Sequence, residues 1–339
     1  MSLKSSIKNI VPKFALNWLR SIKRYLRERS DFRYDRRRYR SFSNRLWANP
    51  SILSFEELES SIFFLSHAIE KGLSLDKRRV GFGKEKSNNL VELLSKYSEL
   101  GFPRSSSCFI NAVSVLSEYL TFQKENGVAG IEYLEDFLKA SETEKTVFGG
   151  TITLTRSGLI QDAKGDFISI SNSRHSIRAF SNIPVDMETV RKALELAQRS
   201  PSVCNRQTSR VHVVVQKSLI EKILKIQGGA NGFQDSVDKL IIVTSCLKGF
   251  RGSGERNQPF VDGGIYSMNL LLALHYYGLG ACTLNWDKSR KQDQRLRSIM
   301  DIPDDENVIL MIAVGNLKEE FRVAFSLRKP ADDVLTIHE

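Results

Sequence analysis

The chain has 339 residues, 41% hydrophobic and 26% charged, with four cysteines and five histidines. That is enough material for two domains, each with its own core. The formal net charge is +11, but residues 1 to 50 hold 14 Lys and Arg against 3 Asp and Glu, so residues 51 to 339 balance at 36 of each sign. The basicity therefore belongs to an N-terminal arm. No run approaches the ~20 apolar residues that span a bilayer, and no short apolar core with a cleavage site marks a secretory signal, so a cytoplasmic location is expected.

Within the arm, Ile7, Ile10, Val11, Phe14, Trp18, Ile22 and Leu26 recur at three- and four-residue spacing while basic residues fill the other faces. This predicts a basic amphipathic helix, with Pro12 in its first turn. Such a helix suits peripheral contact with the inner, anionic face of a membrane; packing on its own domain is the alternative. The cluster Arg36-Arg37-Arg38-Tyr39-Arg40 has the composition of a nucleic-acid contact, but no nucleic-acid fold accompanies it, so no nucleic-acid partner is expected.

Residues 51–140 read as a helical domain. Leu58, Ile62, Leu65 and Ile69, then Leu90, Leu93, Leu94 and Tyr97, then Val113, Leu116 and Leu120 keep helical spacing, with Pro103 and Gly127 in the breaks. His67, Glu70 and Lys71 share a helix face in His67-Ala-Ile-Glu-Lys-Gly-Leu73, followed by Arg78-Arg-Val-Gly-Phe-Gly83. They form part of a substrate or partner site, or an ordinary surface ion pair on a capped helix. Residues 141–172, with Gly149-Gly150 and the short alternating run Thr151 to Thr155, read as a linker or hairpin.

The most informative feature follows. Arg174, Ser176 and Arg178 lie on alternate residues of Ser173-Arg-His-Ser-Ile-Arg-Ala-Phe180. In an extended segment they point the same way, offering two guanidinium forks and a hydroxyl to one anion, the makings of a phosphate cradle; a solvated basic loop is the alternative. Asp186 can cap a helix carrying Val190, Ala193, Leu194 and Ala197, which Pro201 stops. A turn from Ser200 to Gln207 leads to the alternating strand Val211, Val213, Val215, and Leu240 to Val243 is a second strand. Asp262-Gly263-Gly264 opens a helix apolar all round (Met268, Leu270 to Leu274, Tyr276), which belongs at a core or a subunit interface. Strands from Ala281 to Trp286 and from Val308 to Val314 complete the pattern, and a tail carries Arg328-Lys329-Pro330.

In that order, residues 173–339 resemble the nitroreductase family of FMN-dependent oxidoreductases. The matching pieces are Arg-His-Ser-Ile-Arg-Ala-Phe, Ser-Pro-Ser-Val-Cys-Asn-Arg-Gln, Asp-Gly-Gly-Ile-Tyr-Ser-Met-Asn-Leu-Leu-Leu-Ala-Leu, Gly-Leu-Gly-Ala-Cys, Ala-Val-Gly and the terminal Arg-Lys-Pro. The resemblance implies an α+β, three-layer fold with a central, mainly antiparallel sheet, here preceded by the smaller helical domain. It also implies a homodimer with FMN in a groove between the subunits, NAD(P)H as electron donor, and a small-molecule acceptor reduced by a ping-pong mechanism. On matching positions, Arg174, His175 and Ser176 fall in the phosphate segment, with Arg328 closing it. Arg178 falls near the flavin pyrimidine edge, Pro201, Ser202 and Asn205 in the turn that contacts the ring, and Thr283 and Leu284 in the segment stacked against it. Gln207-Thr208-Ser209 and Asn285-Trp286 depart from common family patterns, so substrate identity does not carry over. The His-x-x-Glu-Lys-Gly-Leu stretch is similar to one in nitroreductase-like proteins associated with bacterial surface-polysaccharide synthesis.

The resemblance makes the flavin the redox group, so no side-chain nucleophile is expected. The residues agree: no histidine pairs with Ser or Cys in a nucleophile motif, and Cys108, Cys204, Cys246 and Cys282 form no CxxC, so neither a metal site nor a dithiol is expected. Gly228 to Gly232 lacks a P-loop lysine and reads as a loop over the flavin or a turn. Two rivals stand beside the reductase: a flavin-dependent oxidase or dehydrogenase of a biosynthetic intermediate, and a non-catalytic FMN-binding scaffold at a membrane assembly.

Overall fold

The structure, a computed structural model, describes residues 12–42, 55–141, 148–250 and 253–338. The helices, in chain order, are α1 (Lys13–Phe42), α2 (Phe55–Leu73), α3 (Lys84–Glu99), α4 (Ser107–Glu125), α5 (Glu132–Ala140), α6 (Arg156–Ala163), α7 (Phe167–Ser173), α8 (Met187–Ala197), α9 (Lys217–Gln227), α10 (Gln258–Tyr276) and α11 (Arg290–Ile299). The strands are β1 (Thr151–Thr155), β2 (Ser209–Val214), β3 (Lys239–Cys246), β4 (Leu279–Asn285), β5 (Glu306–Asn316) and β6 (Glu320–Ala324).

Strands β2, β3, β5 and β4 form, in that order, a fully antiparallel sheet. Because side chains alternate along a strand, each face gathers its own core. On one face Leu240, Ile242, Met311 and Ala313 pack with Ile220 and Ile223 of α9 and Leu296 of α11. On the other Ile241, Val243, Ile312 and Val314 meet Val190 and Ala193 of α8 and Leu270 and Leu274 of α10. This is the expected three-layer α+β fold. Asp186 caps α8 as its sequence position suggested, its carboxylate accepting from the amides of Glu188 and Thr189.

Helix α10 divides its apolar surface. Leu270, Leu271, Ala273 and Leu274 are buried within the protomer, whereas Val261, Ile265 and Met268 are 50%, 41% and 45% exposed. The helix thus has one face for the core and a second apolar face turned outward.

Helices α2 to α5 form a separate bundle around Leu58, Ile62, Ile69, Leu90, Leu94 and Leu116. Gly72 allows the loop after α2 to fold back, since a Cβ there would overlap the Phe82 ring. That loop is pinned where the Tyr119 hydroxyl donates to the Phe82 carbonyl at 2.5 Å and the Gly81 amide to Gln123 Oε1 at 2.9 Å.

The stretch expected as a linker is structured over its described part. β1 pairs antiparallel with β6 from Thr151↔Ala324 to Thr155↔Glu320, and α6 and α7 follow. The segment before Arg174 is therefore packed against the C-terminal strand. Only the alternation over 151–155 hinted at this, because the partner strand lies nearly 170 positions downstream in the sequence.

Helix α1 is 30 residues long and begins just after Pro12, whose carbonyl accepts from the amides of Ala15 and Leu16. Ile7, Ile10 and Val11 lie outside the described residues. Asp31 accepts from the Ser253 hydroxyl at 2.7 Å and Asp35 holds Arg256 in a two-point ion pair, so α1 docks on the segment before α10. Phe14, Trp18, Tyr25 and Phe32, at four- and seven-residue spacing, are each more than half exposed. No described helix is long and apolar enough to cross a membrane.

Candidate active site

Segment 174–180 leaves α7 extended and lies along the sheet: the Ile177 amide donates to the Ala281 carbonyl at 2.9 Å and the Ser181 amide to Asn316 at 2.8 Å. Ile177, Ala179 and Phe180 fill the core. Gly315 ends the Ala-Val-Gly motif because the Phe180 ring takes the space of a Cβ there, 2.5 Å away. With Ile177 and Ala179 in the core, Ser176 and Arg178 lie on the opposite side of the segment.

They point into different cavities. Ser176 lines one of about 500 Å³ together with Ser326, Arg328 and Lys329 of the C-terminal segment and Phe63, His67, Glu70 and Asn111 of the bundle. Arg178 lines a second, of about 690 Å³, with Lys71, Gly228 and Gly229. The alternate-residue pattern suggested one shared anion; the bundle instead divides the groove, with α2 crossing both cavities through His67 and Lys71, one turn apart.

The first cavity is rich in positive charge. Burial, then the Arg328 charge, holds the half-buried Arg174 guanidinium below the usual arginine range. Burial, then Arg174 and Arg328, likewise lowers the His175 imidazole. The His175 side chain itself lines a separate cavity with Thr155, Asp162 and Ser173, as alternation from Ser176 requires. Beneath it, His275 Nε2 lies 2.8 Å from Ser173 Oγ, and burial followed by Arg174 and His175 pushes that imidazole down to about 4. Glu70 is 2% exposed: one oxygen accepts from the Gly150 amide at 3.2 Å and the other lies 3.4 Å from His67 Nδ1. The Gly150 carbonyl accepts from the Phe325 amide, so this carboxylate ties the bundle to the strand end that carries Arg328. Lys329 is paired with Glu59 of α2. Glu70 is thus a buried clamp between domains, with the 44% exposed His67 beside it.

In the second cavity Arg178 is 7% exposed and its Nε has no hydrogen-bond partner among the described residues. Lys71 faces it and is held below the usual lysine range by burial and then by the Arg178 charge. Cys282, fully buried beside them, has its thiol pushed up by that burial.

Pro201, Ser202 and Asn205 line none of these cavities. Their turn is anchored at the start of α10, where buried Asp262 accepts from the Val203 amide. Cys204, Asn205 and Gln207 all have positive φ (49°, 53° and 49°), a concentration of backbone strain typical of functional loops. Thr283 is exposed at the end of β4, while the Leu284 side chain is in the core, leaving only its backbone to face a ligand. Phe63, Asn111, Lys77, Lys84 and Lys86 were not singled out from the sequence; they reach the cavities through bundle packing that no local pattern encodes.

Residues 172–316 match the nitroreductase family. This part of the chain is a nitroreductase-family domain. A Methanothermobacter thermautotrophicus protein carrying the provisional name NADH dehydrogenase/NAD(P)H nitroreductase is 26% identical over 154 residues, 45% of this chain and 78% of that one. Human iodotyrosine deiodinase 1 is 23% identical over 198 residues, 50% of this chain and 68% of its own. Among solved structures, the FMN-dependent nitroreductase of Clostridium difficile is 21% identical with a TM-score of 0.41, covering 51% of this chain and 98% of its own. A nitroreductase-like protein of Streptococcus mutans gives 19% and 0.43, with 51% and 98% covered. The bundle and α1 precede the matched nitroreductase region.

Proposed function

We propose that this protein is an FMN-dependent oxidoreductase that takes electrons from NAD(P)H and passes them to a small-molecule acceptor. The observation that carries this is that Ser176 and Arg328, from segments over 150 residues apart, line one cavity, with Arg174 near enough for the Arg328 charge to act on it. The charge of Arg174, disfavoured by burial and then by Arg328, calls for an anion nearby, and a flavin phosphate supplies two negative charges and several acceptor oxygens. The buried, unpartnered Arg178 Nε suits the flavin pyrimidine edge, which accepts hydrogen bonds.

When bound, FMN supplies the redox chemistry. The chain's residues do the rest: Arg174, Ser176 and Arg328 hold the phosphate, Arg178 places positive charge at the ring edge, and Glu70 fixes the bundle wall of the phosphate cavity to Gly150. The turn at Pro201, Ser202 and Asn205 lines neither cavity within a protomer, so we assign its contact with the ring to a dimer, and the outward apolar face of α10 suits that two-fold contact. Donor and acceptor then use one ring face in turn, so steady-state kinetics give parallel double-reciprocal lines.

We read α1 as a peripheral membrane contact, its exposed aromatic stripe flanked by Arg and Lys. Full-length protein should sediment with anionic vesicles and a chain lacking residues 1–42 should not; equal sedimentation rejects this part. The test of the main reading is the spectrum of the purified protein and its bleaching by NADH or NADPH, with recovery on adding menadione. A colourless protein that FMN does not reconstitute contradicts the reading. Bound FMN that no nicotinamide reduces would favour the non-catalytic scaffold.

A further inference from the structure

Outside residues 1–50 the chain is electrically neutral, yet the cleft between the bundle and the nitroreductase domain gathers six cations: Lys71, Lys77, Arg79, Lys84, Lys86 and Arg178. Glu85 is the one carboxylate lining it, and none of the six lies within ion-pair distance of a carboxylate of the described residues.

The cleft is a built site. Its inner end is the 93% buried Arg178 with an unpartnered Nε, beside half-buried Lys71. An unpaired charge at that depth is costly, and two of like sign facing each other are more so. Its outer rim is Lys77, Arg79, Lys84 and Lys86, all exposed. The rim is also where 16-residue α3 begins, with Gly83 as a cap that offers no side-chain acceptor, so the positive end of the helix dipole opens on the same space. At about 690 Å³ the cleft accepts a nucleotide-sized or sugar-sized molecule.

We propose that this cleft binds the phosphate or diphosphate group of a small molecule whose reactive part is thereby directed past Lys71 toward Arg178. The inference rests on the flavin reading, which puts the ring edge at Arg178. Two sources share this chemistry: a phosphorylated acceptor substrate and the nicotinamide dinucleotide itself.

The test uses full-length, FMN-loaded protein and inorganic pyrophosphate as the probe, titrated by calorimetry. Wild type should bind it saturably, and K84Q/K86Q should bind it about tenfold or more weakly with unchanged flavin content and visible spectrum. K192Q/K222Q, which removes the same charge from exposed sites elsewhere, should bind as wild type. No binding by wild type, no weakening in K84Q/K86Q, or equal weakening in both double variants would overturn the proposal. So would loss confined to R174A/R328A, because pyrophosphate would then sit in the flavin phosphate cavity. KM values with menadione separate the sources: a raised KM for NADH or NADPH in K84Q/K86Q identifies the dinucleotide, and an unchanged one identifies the acceptor. If the protein bound no FMN the flavin reading would fail, while pyrophosphate binding, measured without reference to colour, would still decide on the cleft.

Discussion

The two cavities crossed by α2 handle positive charge differently. Around Ser176 and Arg328 the bundle brings carboxylates as well as cations: Glu59 meets Lys329 and Glu70 meets His67. Around Arg178 it brings lysines with no carboxylate in ion-pair range. The first pairs cations with carboxylates of the bundle, whereas the second leaves its cations without such partners among the described residues. A bundle outside the matched family region has thus placed one helix, α2, in the lining of both cavities.

The largest effect expected separates the cavities by their need for a partner subunit. Ile265→Asp puts a charge on the outward face of α10 without touching the core and, with several kcal/mol at stake for an unpaired buried charge, should yield monomers by size-exclusion chromatography. Flavin should be lost with the dimer, while the cleft, lined within one protomer, keeps its pyrophosphate binding. A folded monomer fully loaded with FMN would break the shared-groove account. Leu271 and Leu274 would not serve, since they are buried within the protomer and a charge there attacks the fold itself.

Glu70→Leu comes next. It leaves the Gly150 amide without its acceptor and should cost about 1–3 kcal/mol in thermal or denaturant unfolding. Because α2 serves both cavities, flavin and pyrophosphate affinities should both fall; loss of one alone would mean that the two walls move independently.

The smallest effect is a pH dependence on the cradle side. The His275 imidazole is depressed from 6.5 to about 4, chiefly by burial, and His175 is lowered in the same sense. A group whose folded-state value lies below its unfolded one favours the folded protein above 6.5, and that contribution is lost as pH falls toward 4. Thermal midpoints should therefore decline through this window, and His275→Gln, which can still meet Ser173, should flatten part of the slope. An identical slope in the variant would assign the dependence to other groups.

Much of the C-terminal half was legible because its signals are local: Asp186 announced its helix, and the apolar runs at 240–243 and 308–314 announced strands of the central sheet. What stayed hidden depends on contacts between distant segments. That Ser176 and Arg178 serve different cavities follows from where α2 lies, and that Glu70 is a clamp follows from Gly150, 80 positions away. Lys84 and Lys86 look like any solvated helix start until Arg178 is seen opposite them.

The most direct test of the central claim, that Arg174 and Arg328 hold a flavin phosphate, is titration of apoprotein with FMN, followed by quenching of flavin fluorescence, in wild type, Arg174→Ala and Arg328→Ala. Each variant loses a charge-assisted contact of about 1.5–3 kcal/mol, so its dissociation constant should rise about ten- to a hundredfold while riboflavin, which lacks the phosphate, binds all three alike. FMN affinity unchanged in both variants would contradict the account.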